Sequence, residues 1–318
     1  MKGLEDLNTE LLYEIFDYLS FTQVFLAFFN LQQRINNAIR AYPACIDLSK
    51  TIDRNALSHD SFACRALIIL GDDILENTMN CLHLNFEAIR AISCKYVNFT
   101  TLQLFFEQIP MEQLESIEIE HLDRRDAPED MDQELWSTIA IAGRNQLRHL
   151  CTSLHIIQQN TEQLLFDLPT LQYAVLKYIS SEAMLAFVRH TPNLCSFTGR
   201  VINWNNESCT PDFSLPRLVH LNLLIERCSS FEELRQLLFI CPNLTHCELR
   251  FWITWSNVSM VDATGWQALI EQCLPCLIYL RIRLFRYVPG IRDSDPQEAF
   301  NRSEYWTRQQ PHFDIQVR

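Results

Sequence analysis

The stretch CPNLTHCEL, residues 241–249, sets a leucine two positions after a proline, with Cys247 and Leu249 three and five positions beyond that leucine. Four other segments share the form: LPTLQYAVL (168–176), TPNLCSFTG (191–199), LPRLVHLNL (215–223) and LPCLIYLRI (274–282). Their lead leucines, Leu171, Leu194, Leu218, Leu244 and Leu277, stand at intervals of 23, 24, 26 and 33. Upstream, Leu147 and Leu114 continue the series at 24 and 33, and Ile89 extends it at 25. Five prolines of the chain's twelve thus fall in phase. Each follows an apolar helical stretch, as in LLFDLP, AFVRHTP, LLFICP and IEQCLP, and stops that helix just before a strand, because proline lacks the amide proton and restrains the residue before it. The unit is strand, turn, helix. Segments around Phe166, Phe187, Phe239 and Ile270 form the helical side.

This pattern resembles leucine-rich repeats, whose units run about 20–29 residues with longer intervals where a loop is inserted. Such a loop is expected at 124–132 and at 253–264. The resemblance implies an α/β solenoid, with parallel strands on a concave face and helices on a convex one. The eighth position after each lead leucine, where many repeats carry asparagine or cysteine, holds Ile179, Ile202, Glu226, Trp252 and Phe285, so no asparagine ladder is expected there. An irregular α/β domain with coincidental spacing is the alternative.

At the amino end, Leu7, Leu11, Leu12, Ile15, Phe16 and Leu19 recur at helical spacing, with Glu10, Glu14 and Asp17 on the other side. Asn8 or Thr9 can cap this helix. Thr22 is a plausible cap for a second helix in which Val24 to Phe29 is apolar all round and needs covering. A third stripe, Ile35, Ala38, Ile39 and Tyr42, ends at Pro43. Three helices this short bury too little to stand alone, so something else must complete the apolar surface.

The stretch LEDLNTELLYEIFDYLSFTQVFLAFFNLQQRINNAI resembles the F-box. Leu7, Glu10, Leu11, Ile15 and Leu19 match the positions through which that family contacts its adaptor. Asn8 stands where the family usually has proline, and Arg34-Ile35 where a basic-Trp pair is common. An F-box ahead of a repeat array resembles the receptors of SCF-type cullin-RING ubiquitin ligases. The resemblance implies a substrate-recognition subunit: the helices dock on a Skp-type adaptor and through it a cullin-RING scaffold, while the repeats bind an unidentified target protein. The alternative is a repeat scaffold acting outside a ubiquitin ligase. The expected organisation is an F-box over 1–45, a connecting segment or first irregular repeat over 46–84, repeats over 85–288, and a carboxyl-terminal cap over 289–318.

Charge and chemistry narrow the partners. With 39 acidic against 26 basic residues the net charge is -13, which disfavours nucleic acid. The opening residues lack a secretory signal, and Val24 to Phe29 is too short to span a bilayer. A location in the cytoplasm or nucleus, away from membranes, is therefore expected. The twelve cysteines then read as thiols, and the sequons at Asn98, Asn206, Asn243, Asn257 and Asn301 as chance matches.

No Gly-rich phosphate loop, GxSxG or HExxH occurs, so no enzyme, cofactor or metal is expected. Cys273-Leu-Pro-Cys276 lies between a helix and a strand, the reverse of a redox CxxC, and reads as core packing. In each repeat the lead residue and those three and five later point inward, so the second, fourth and sixth face solvent. The outward set Tyr173, Lys177, Arg200, His246, Arg250, Tyr279, Arg281 and Arg283 is the candidate target-binding face. It becomes basic towards the carboxyl end and suits an acidic or phosphorylated segment.

Overall fold

The computed structural model describes residues 7–29, 31–49, 64–70, 86–122, 131–156, 167–202, 213–226, 228, 230–253, 262–286, 296–309 and 312–317. The chain divides into two compact units, Met1–Leu147 and Arg148–Arg318. Both are α/β, with parallel strands laid side by side in chain order and helices between them, a solenoid-like arrangement.

The first unit opens with three helices: α1 (Thr9–Asp17), α2 (Phe21–Phe28) and α3 (Gln33–Ala41). Asn8 caps α1, its Oδ1 accepting from the Leu11 amide at 2.9 Å. Ser20, rather than Thr22, caps α2: a capping box joins its hydroxyl to the Gln23 amide and the Gln23 side chain to its own amide. That reciprocal pair satisfies two otherwise orphaned donors, which a threonine two positions later could not do. Leu12, Phe16, Val24, Ile35 and Ile39 form the shared core of the three helices. Tyr42 closes it, ring against Phe16 at 5.4 Å and hydroxyl donating to Asp17 Oδ1 at 2.6 Å.

Strands follow at once. β1 (Ala44–Asp47), β2 (Cys64–Leu70), β3 (Ala91–Lys95) and β4 (Ser116–Glu120) pair in that order. The ladder thus begins upstream of residue 85, where the leucine series starts, because β1 and β2 lack the Pro-x-Leu lead. α4 (Phe99–Gln108) and α5 (Met131–Gly143) complete this unit.

The second unit holds β5 (His149–Ile156), β6 (Tyr173–Ser180), β7 (Ser196–Ile202), β8 (His220–Ile225), β9 (His246–Ile253), β10 (Tyr279–Arg286) and β11 (Phe313–Val317). Its helices are α6 (Ser181–Arg189), α7 (Phe231–Phe239), α8 (Ala263–Cys273), α9 (Pro296–Arg302) and α10 (Glu304–Gln309). Phe187, Phe239 and Ile270 lie on α6, α7 and α8 as expected, whereas Phe166, Asn206 and Asn257 lie outside the described residues. FDIQV, residues 313–317, supplies the final strand, and Trp306 anchors the tail by donating its indole N–H to the Ala263 carbonyl at 3.1 Å.

The repeat frame appears directly in burial. Ile89, Leu114, Leu147, Leu171, Leu194, Leu218 and Leu244 are all buried, and Leu277 is half-buried. The third and fifth positions after them are buried too, among them Phe197, Leu221, Cys247 and Ile282. The amides of Leu114, Leu171, Leu194, Leu218, Leu244 and Leu277 each close a tight turn, such as Leu171 to the Leu168 carbonyl at 3.1 Å and Leu244 to the Cys241 carbonyl at 3.2 Å.

Asparagine links successive turns. Asn193 Nδ2 donates to the Pro169 carbonyl at 2.6 Å, and Asn243 Nδ2 to the Pro216 carbonyl at 2.8 Å. Both asparagines stand one residue before a lead leucine, and the equivalent positions before Leu171, Leu218 and Leu277 hold Thr170, Arg217 and Cys276. Two sequon asparagines therefore have structural duties, Asn243 here and Asn98 as the cap of α4, accepting from the Thr101 amide at 2.8 Å.

Candidate functional site

Two surfaces merit construction from their residues, one in each unit. The first is the outer side of the amino-terminal helices. Along α1 the inward positions are Leu12 and Phe16, so their neighbours turn outward by the helical period. Leu11 retains 42% of its surface in water, Leu7, Ile15 and Leu19 are half-buried, and Glu10 is exposed in the first turn. The apolar circumference of α2 is covered in part by this chain: Phe21 and Val24 are buried, while Leu26 is 64% exposed. Leu31, just beyond, is 58% exposed. On α3 the Arg34 guanidinium donates back to the Leu7 carbonyl, and Ile35 is buried.

The second surface is the outer face of the second unit's sheet. Its register aligns side chains in rows. The first row runs His149, Tyr173, Ser196, His220, His246, Tyr279 across β5 to β10. Rings stack along it, His149 on Tyr173 at 4.6 Å and His220 on His246 at 4.6 Å, with Tyr279 at 5.9 Å from His246. Burial and the neighbouring His246 charge lower the His220 pKa. The sequence showed these residues as outward but gave no sign of a ladder, which needs the strand register.

Next come Thr198, Asn222, Glu248, Arg281 and Asp314, then Arg200, Leu224, Arg250, Arg283 and Gln316, across β7 to β11. The candidate arginines are therefore brought together, but they are not bare. Arg200 meets Glu226 at 2.5 Å, Arg250 Nε meets Glu248 Oε1 at 3.1 Å, and Arg281 Nε meets Asp314 Oδ2 at 3.1 Å. Carboxylates thus stand among the arginines at this end of the face. Asp314 comes from β11, far along the chain, and Glu248 lies two residues before Arg250, so acids interleave with bases once the strands are in register. Lys177 sits at an irregularity of β6, where Leu176 pairs with Gly199 and Ile179 with Val201. Tyr178 beside it carries the Arg200 guanidinium over its ring at 5.2 Å. Val175, Tyr178, Thr198, Leu224 and Arg250 contribute to a cavity of about 260 Å³ here.

Cys64, Cys94, Cys228, Cys241, Cys247 and Cys273 are buried, whereas Cys45 and Cys276 are exposed, so only the first cysteine of the Cys273–Cys276 pair packs in the core. Burial pushes the Cys64, Cys94 and Cys241 thiols up to about 12, and it also raises Cys247. Cys273 is buried and Cys276 exposed, both as free thiols. No helix among the described residues is long and apolar enough to cross a membrane.

No protein-family profile matches the chain. Over 122 residues it is 32% identical to COMM domain-containing protein 9 of Bos taurus, an alignment that takes in 36% of this chain and 62% of that protein. The chain thus spans less than two thirds of the length of that relative.

Proposed function

We propose that this chain is the substrate-recognition subunit of an SCF-type cullin-RING ubiquitin ligase, built from an F-box and degenerate leucine-rich repeats. In this reading it is no enzyme, needs no cofactor and works in the cytoplasm or nucleus. Its helices dock on a Skp-type adaptor, and its repeats hold a target. A separate enzyme transfers the ubiquitin, and the receptor contributes proximity by raising the effective concentration of target lysines.

The observation that carries the reading is the uncovered apolar surface on α1 and α2. Leu11, Leu26 and Leu31 keep 42%, 64% and 58% of their surface in water. A single exposed leucine needs no explanation, but three within the amino-terminal helical region, on α1, on α2 and just beyond α2, suit a surface that gains by meeting a partner. Leu11 and Ile15 stand four residues apart on α1, the spacing of one helix stripe, and Leu7 lies just ahead of the Asn8 cap.

Affinity capture tests it. The intact chain should bring down adaptor and cullin, and Leu11→Asp with Ile15→Asp should lose both. Recovery of neither from the intact chain favours the second reading, a repeat scaffold outside any ligase. A specific feature supports that alternative: Ile35, standing where the resembled family often has tryptophan, is 2% exposed and so is occupied within this chain.

A further inference from the structure

We propose that Arg250 and Arg283 form the seat for a carboxylate of an extended acidic segment, whose apolar side chain enters the neighbouring cavity floored by Val175 and Leu224. This deepens the target-holding role proposed for the repeats and rests on it.

The seat arises from an unusual pairing. Arg250 and Arg283 stand directly opposite each other on β9 and β10. Like charges in that position repel, so the arrangement needs anionic compensation. Glu248 supplies it in part, and the same oxygen serves both arginines: Oε1 lies 3.1 Å from Arg250 Nε and 3.9 Å from Arg283 Nη1. The second distance exceeds hydrogen-bond range. Among the described residues Arg283 Nε, though buried, has no hydrogen-bond partner. Glu248 is the deeper group, with 19% of its side chain exposed against 35% and 30% for the two arginines. Both arginine side chains are thus more exposed to solvent than the carboxylate they share.

Charge selects the occupant. At the seat two guanidinium groups, Arg250 and Arg283, share the single carboxylate of Glu248, which leaves one positive charge in excess. A carboxylate balances it, whereas a phosphoester carrying about two negative charges exceeds it. The chain's overall charge of -13 does not forbid this. Screening confines exposed charges to about 8 Å at physiological salt, so nearby arginines dominate.

Spacing selects the sequence. From between β9 and β10 to β7 is two and a half strand separations, about 12 Å, the rise of about four extended residues. The recognised element is thus an acidic residue and a leucine-like residue four positions apart.

The test uses the full chain and fluorescein-labelled peptides of the forms Glu-x-x-x-Leu and Leu-x-x-x-Glu, with glutamine and phosphoserine counterparts, read by fluorescence anisotropy. One glutamate peptide should bind and its glutamine counterpart should lose about tenfold. Arg250→Gln with Arg283→Gln should weaken binding to a similar extent. Glu248→Gln should strengthen it, because the competing internal carboxylate is gone, whereas a purely structural Glu248 predicts no gain. Equal binding by the arginine variant, or no gain from Glu248→Gln, overturns the seat. Tighter binding of phosphoserine overturns the choice of carboxylate. These variants should all still capture the adaptor, and Leu11→Asp with Ile15→Asp should bind peptide normally. Peptide binding without any adaptor capture sinks the ligase reading and leaves the seat standing.

Discussion

Leu11 and Leu12 are neighbours on α1 with opposite surroundings, 42% and 1% exposed, and their substitution should have opposite consequences. Leu12→Ala removes the methine and its two methyl groups from the core shared with Phe16 and Ile39. Such a cavity costs about 2–5 kcal/mol. At about 2–4 °C per kcal/mol for a body of this size, Tm should fall on the order of 5–15 °C. Leu11→Asp forfeits roughly half the transfer energy of a fully buried leucine, about 1 kcal/mol. Residue 11 lies in the first turn of α1, just after the Asn8 cap. A carboxylate there meets the positive end of the helix dipole and recovers about 0.3–1 kcal/mol. The net change should stay within about 1 kcal/mol, so Leu11→Asp keeps Tm while losing the adaptor. Differential scanning fluorimetry beside affinity capture separates the two. An equal fall in Tm for both variants would show that Leu11 is packed within this chain, and retained capture by Leu11→Asp would refute the docking surface.

Other outcomes follow from particular contacts. Asn193→Ala with Asn243→Ala removes two turn-to-turn hydrogen bonds and should cost about 0.5–1.5 kcal/mol each by chemical denaturation. Gly265→Ala places a methyl 2.4 Å from Phe231 Cε2, and that ring packs edge-on against Trp266. Its overpacking cost of about 1–3 kcal/mol outweighs the roughly 1 kcal/mol gained in helix propensity, so Tm should drop, and Phe231→Leu should relieve the effect. Thiol labelling of the native protein at pH 8 should modify Cys276 well before Cys64, Cys94 and Cys241, whose thiols are held near 12 by burial. The Tyr42 phenol is pushed up to about 12, first by burial and then by its bond to Asp17. A raised folded pKa favours the protonated folded form, so its stabilisation is complete below the unfolded value of 10.0 and disappears as pH rises through about 12. Tyr42→Phe should abolish that component of alkaline destabilisation.

The repeat frame was legible because its signal is local. A proline ending a helix and leucines at fixed offsets need no knowledge of what lies across the sheet, and the lead leucines from Leu114 to Leu244 all landed in the core. β1 and β2 escaped because they enter the ladder without that lead. The outward positions were also readable, since strand alternation is a local rule. Their chemistry was not. That Arg250 stands opposite another arginine, Arg283, depends on the register of β10, and the partner of Arg281 arrives from β11. The left-handed backbone at Tyr96 and His121, φ 57° and 51°, was equally hidden. These residues immediately follow β3 and β4, and their rings stack at 4.9 Å. Tyrosine rarely adopts this conformation, so nothing in the composition marks the turn at Tyr96, whereas histidine, enriched there, is at most a weak cue at His121.

Strand order has a consequence for how the molecule is made. Within each unit every described strand pair joins neighbours in the chain, as β6 with β7 and β9 with β10. A new strand needs only the edge left by the one before it, so folding can advance with synthesis from the ribosome rather than await the last residue. Stalled or truncated translation products should therefore retain ordered amino-terminal portions ending in an open strand edge. Such an edge is a site for pairing with other chains, and premature stops are expected to yield sticky fragments rather than unfolded ones.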